Sequence, residues 1–269
     1  MPVANLAQRQ ENLARLCGAH SHHCECDAAR ASDAKAMAKK LPLSHAAGED
    51  TLVKILQSGA LLSQTAVGLP PHKAEADLDT ADDVFFYLGA FAYPDTECGL
   101  LFLPALEADH QSDGVSTPFD SGALVNKVSP PSAYTGNRVG FVRDHEMPVS
   151  AYRDLLGRVI ADYARACGVY LRAPEEFKCE CGFVREHPFG ITGGDWRAAT
   201  FEVRIPKQVP LSHPHLHAVF VRNGFEPREL APLRRAGVRI ERFEPDPGAD
   251  SFGALREACI SFIQEKLLK

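Results

Sequence analysis

Apolar residues recur along this chain in short blocks of two kinds. Five to eight of them, alternating or continuous and bounded by turn formers, predict strands: "VFFYLG" (84–89), "GLLFLPAL" (99–106), "HAVFVRN" (217–223) and "VRIERFE" (238–244). "LPLSH" (41–45) predicts a brief strand. "TFEVRIPKQVPL" (200–211) predicts another, with Phe201, Val203 and Ile205 on one face and Glu202 and Arg204 on the other. Spacings of three and four predict helices over 48–59, 150–168, 227–237 and 252–269. The first of these opens on acidic residues and ends at Gly59, a residue suited to the left-handed turn after a helix. Residues 4–17 and the Ala-rich stretch 26–40 predict two more helices. The stretches 60–83, 109–124, 129–138 and 172–196 are rich in Pro, Gly, Ser and Asp and read as loops. Short, numerous strands interrupted irregularly by helices favour an α+β fold over a regularly wound one.

Composition narrows the picture modestly. A chain of 269 residues, 45% hydrophobic and 24% charged, is long enough to bury a substantial core as one large domain or two small ones. No apolar run reaches the roughly 18 residues of a membrane span, and the polar start lacks the apolar core of a secretion signal. These features predict a cytoplasmic protein with reduced thiols and no membrane partner. The net charge of −6 supplies no global attraction to nucleic acid. Arg222, Arg228, Arg234, Arg235, Arg239 and Arg242 nevertheless crowd one stretch, either as a solvated surface or as a phosphate-binding patch.

Metal-binding residue types cluster three times: "HSHHCEC" (20–26), "CECGFVREH" (179–187) and "HPHLH" (213–217). Cys24, Cys26, Cys179 and Cys181 form two Cys-x-Cys pairs that would make a structural zinc site if the fold joins them. The three histidines at 213, 215 and 217, spaced by two, fall on one face of an extended segment, the arrangement a metal-dependent hydrolase would need.

Three stretches taken in order carry a different reading: "HAAGEDTLVKILQSGALL" from His45, "VFFYLG…YP" from Val84, and "FEVRIPKQVPL" from Phe201. Their order and spacing resemble the ADP-ribosyltransferase superfamily, most of all its DNA-targeting toxin branch, DarT. The resemblance covers roughly residues 43–245, with a large unmatched middle. It implies a split mixed β-sheet core with flanking helices over 43–269, an insertion around 105–195, and an N-terminal helical extension over 1–42. It also implies NAD as a substrate, a nucleobase in DNA or RNA as acceptor, a toxin or anti-phage role, and a neutralising antitoxin as partner. By resemblance Glu202 is the catalytic carboxylate, His45, Tyr87 and Ser116 contact NAD, and Phe189 and Trp196 contact the acceptor. Residues 46–83 contain no arginine, and Lys54 and Lys73 are the cations there, so the NAD diphosphate would be held from elsewhere. Arginine-modifying members carry a second glutamate two positions before the catalytic one; Thr200 stands there, which argues against arginine as acceptor. A catalytically inactive binding module on the same scaffold is the remaining alternative.

Overall fold

The structure, a computed structural model, describes residues 38–127, 130, 134–153, 201–212, 214–245 and 251–268. The helix expected over 4–17, nearly all of that over 26–40, most of that over 150–168 and the loop over 172–196 lie outside the described residues. In chain order the elements begin with β1 (Leu43–Ala47), α1 (Glu49–Ser58), β2 (Ala60–Leu62), α2 (Lys73–Leu78), β3 (Asp83–Leu88), β4 (Cys98–Phe102) and α3 (Leu106–Asp109). They continue with β5 (Val115–Thr117), α4 (Ser121–Asn126), α5 (Arg138–His145), β6 (Met147–Pro148), β7 (Glu202–Pro206) and β8 (Gln208–Pro210). β9 (Leu216–Arg222), α6 (Leu230–Arg235), β10 (Arg239–Phe243) and α7 (Ser251–Phe262) complete the set, with a π-turn over Ile263–Leu267 extending α7. The fold is α+β with a mixed sheet, as the strand pattern predicts. The chain divides into two compact units.

One unit comprises residues 40–70, 82–110 and 204–269. Its strands run in the order β10-β9-β4-β1-β3, followed by the Arg204–Pro206 part of β7. Both edges of β1 are used: Ser44 faces Tyr87 on β3 and Leu101 on β4, both antiparallel. β4 lies between β1 and β9, and "CGLLF" is buried throughout rather than alternating, so both faces of the strand are covered. β9 and β10 run parallel, with Ala218 opposite Arg239, because α6 carries the chain across between them. α7 packs on β9 and β10, where the Phe262 ring meets Phe220 edge-on at 5.5 Å. α1 follows β1 directly; it buries Leu52 and Ile55, and Gly59 at φ 71° lets its N–H close on the Ile55 carbonyl. Cys98 and Cys259 are buried free thiols in this core, and burial pushes both up to about 12.

The other unit gathers residues 71–81 and 111–203 with the described part of 1–39. Here the strand order is β7-β5-β6, with Ser116 opposite Met147. α4 packs against α2 and α5. Phe119 and Phe141 stack at 5.5 Å over this junction, and Tyr152 meets Phe201 at 6.1 Å. Two stretches expected as loops are therefore partly regular: 60–83 contains β2 and α2, and 109–124 contains β5 and the start of α4. α4 is six residues long, too short for periodicity, and its start is fixed by Asp120, whose Oδ1 accepts the Ala123 N–H at 2.7 Å.

Candidate active site

Glu202 opens β7 and is only 1% exposed. The alternation along 201–205 puts Glu202 and Arg204 on the face opposite Phe201, Val203 and Ile205, and every residue from Phe201 to Ile205 is buried. An unpaired carboxylate at that depth would cost several kcal/mol, so its partners matter. Its Oε1 accepts the Ser121 hydroxyl at 2.6 Å, and its Oε2 accepts the Ser121 N–H at 3.3 Å. Ser121 is the first residue of α4, so the carboxylate stands at the amino end of that helix. Arg204, two residues along, lies in the other unit, 3.9 Å from Asp83 and likewise buried.

Ser116, expected beside NAD, lies on β5 with its side chain fully buried. Its hydroxyl donates to the Met147 carbonyl at 3.4 Å, across the β5–β6 pair. The next residue, Thr117, donates to the Phe119 carbonyl at 2.8 Å. The Ser121 hydroxyl, which nothing in the sequence singled out, reaches the Glu202 carboxylate. Its partner is 81 residues away along the chain, so no local pattern announces the pair.

His45 and Tyr87 belong to the other unit, on the neighbouring strands β1 and β3. His45 Nδ1 lies 2.9 Å from the Phe85 carbonyl oxygen. A carbonyl only accepts, so this nitrogen carries the proton and Nε2 is left as an acceptor in the neutral ring. Burial pushes the imidazole below its usual range, and the bond to Phe85 opposes that only partly. The half-buried ring is therefore a neutral hydrogen-bond acceptor near neutral pH, suited to a hydroxyl donor. Tyr87 is 4% exposed and its ring leans on Tyr93 at 5.4 Å; Tyr93, at 40%, is the more exposed of the two. Tyr87 is thus a buried residue whose ring backs the more exposed ring of Tyr93.

The remaining candidates divide by position. Cys24, Cys26, Cys179, Cys181, Phe189, Trp196 and His213 lie outside the described residues. His215 sits in the turn ahead of β9 and pairs through Nε2 with Asp109 at 2.8 Å. His217, within β9, has its ring 5.7 Å from that of Phe262. Among the described residues no group of three His, Cys, Asp or Glu side chains is placed to hold a metal. Four of the six arginines of the arginine-rich stretch lie beside carboxylates. Arg222 makes a two-pronged contact with Glu49, Arg234 and Arg242 converge on Glu226, and Arg228 lies beside Glu229.

Fold and chemistry together define an α+β protein with a mixed sheet and a buried carboxylate at the head of one strand. No protein-family model and no curated protein matches the chain. Its structure is similar to Thermus sp. 2.9 DarT in complex with NAD+, with a TM-score of 0.43 and 14% identity over 75% of this chain and 94% of that one. It is similar also to Thermus sp. 2.9 DarT in complex with ADP-ribosylated ssDNA, at 0.42 and 13% over 75% and 93%. A further likeness is to Thermosipho africanus DarTG in complex with ADP-ribose, at 0.37 and 12% over 75% and 49%.

Proposed function

We propose that this chain is an NAD-dependent ADP-ribosyltransferase that modifies a nucleobase in nucleic acid, with Glu202 as its catalytic carboxylate. The observation that carries the reading is the state of Glu202: a carboxylate 1% exposed at the head of a strand, with both oxygens held by Ser121. Cleaving the nicotinamide–ribose bond develops positive charge on the ribose, and a fixed anion in a water-poor setting stabilises it. Nicotinamide leaves as a neutral molecule, taking the bonding electron pair onto its ring nitrogen. A nitrogen lone pair of the acceptor base then forms the new bond to C1′, and Glu202 accepts the proton that this nitrogen gives up. His45, neutral with Nε2 as acceptor, takes a ribose hydroxyl of NAD. Uncontrolled modification of nucleic acid would harm the cell that makes it, so a neutralising partner protein fits the same reading.

The test is nicotinamide release from NAD by the full chain, with and without single-stranded DNA or RNA. Glu202→Gln keeps the shape and removes the charge. It is expected to lower the nucleic-acid-dependent rate by about 10²–10³-fold while leaving NAD affinity within a fewfold. A metal-dependent or non-enzymatic protein would release no nicotinamide under any of these conditions, and that result would sink the proposal. Release without nucleic acid would redirect it to NAD hydrolysis or a protein acceptor.

A further inference from the structure

We infer that Ser121 is a positioning residue for Glu202, holding the carboxylate ionised and fixing its plane; this rests on the transferase reading above. Ser121 and Glu202 are both buried, at 0% and 1% exposure. Their Oγ–Oε1 distance of 2.6 Å lies in the range of hydroxyl–carboxylate bonds, which are shorter and stronger than neutral ones. The same residue supplies a backbone N–H to the second oxygen at 3.3 Å, so one residue grips both oxygens and sets the orientation of the group.

The contact is not explained by helix capping. Asp120 already occupies the cap position of α4 and satisfies the Ala123 N–H. Nor are the neighbouring hydroxyls available in its place. Ser116 and Thr117 spend theirs on the Met147 and Phe119 carbonyls. A serine hydroxyl has one proton, and here it points at a carboxylate that must carry negative charge when the ribose becomes positive. Donors to the charged form favour that form, and they do so more strongly where water is excluded.

The experiment compares wild type, Ser121→Ala and Ser121→Thr in the full chain, with two readouts. The first is the pH dependence of kcat for NAD with single-stranded DNA. The second is a carbon-13 NMR titration of the Glu202 carboxyl, which needs no activity. Ser121→Ala is expected to lower kcat at pH 7 by about ten- to a hundredfold with KM for NAD little changed. Its acid limb and its Glu202 titration should both move to higher pH than in wild type. Ser121→Thr keeps the hydroxyl and should restore both. An unshifted Glu202 titration in Ser121→Ala would overturn the inference whatever the activity. Should Ser121→Ala fail to fold, Ser121→Cys, a weaker donor of similar size, replaces it: an upward shift of the titration supports the inference and no shift overturns it. An inactive wild type in which Glu202 still responds to Ser121 would refute the transferase reading alone.

Discussion

At the scale of single residues, the two polar groups on which the proposed function rests sit among different partners. Glu202 is a buried carboxylate given donors; His45 is an imidazole that burial keeps neutral, against the opposing pull of the Phe85 carbonyl. The His45 state carries a pH signature with a definite sign. Its titration in the folded protein lies below the ordinary 6.5, so the neutral ring's contribution to folding is complete above pH 6.5 and is lost as pH falls through the lowered value. NAD affinity should follow the same direction, because protonation removes the Nε2 acceptor. Calorimetric titration of NAD downward from about pH 8 should show constant affinity at and above 6.5 and weakening only as pH falls through the lowered value. His45→Phe should bind more weakly at every pH and lose most of the acid-side decline. NAD affinity of His45→Phe equal to that of wild type above pH 6.5 would remove His45 from the NAD contact.

At the scale of elements, β4 shows how tightly the pattern of small and large residues is set. Gly99 faces Ala46 on β1 and Phe220 on β9, and the Phe91 ring lies where a β-carbon at 99 would stand. Phe91 is itself pinned edge-on against Phe220 at 5.4 Å. Gly99→Ala should therefore cost about 1–3 kcal/mol through overpacking, measured as a lowered urea midpoint with unchanged slope. Stability equal to wild type would mean that the Phe91 ring moves aside freely. Which elements the sequence revealed follows the same logic of size. β3, β9, β10 and α1 were legible because each presents a block long enough to show a period, and Gly59 marked the end of α1. β5 and α4 were not, since three strand residues and six helical ones carry no period; they are held by an Asp120 cap and by packing on α2 and α5. The candidate site divided similarly. Glu202 and His45 stand as expectations drawn from the order of motifs, whereas the Ser121–Glu202 contact and the Tyr87–Tyr93 ring pair become visible only once distant segments are folded together.

At the scale of the whole molecule, the charge distribution would limit how the nucleic-acid acceptor of the proposed function is attracted. The chain carries a net charge of −6, and the arginines at 222, 234 and 242 are committed to Glu49 and Glu226. Binding of a single strand should then release few counterions. The slope of log affinity against log salt should be no steeper than about −2, since each phosphate contact on a single strand contributes about −0.7. Fluorescence anisotropy with a labelled oligonucleotide between about 50 and 200 mM salt checks this. A slope steeper than about −4 would reveal a phosphate track that these ion pairs conceal. One further feature belongs to this scale. Cys98, at the start of β4, and Cys259, within α7, keep their thiols sealed and protonated in the core. A small alkylating reagent reaches neither while β4 and α7 stay closed. The rate at which the two become labelled is therefore a clock for the opening of that core, wound by the protein's own composition and needing no introduced cysteine.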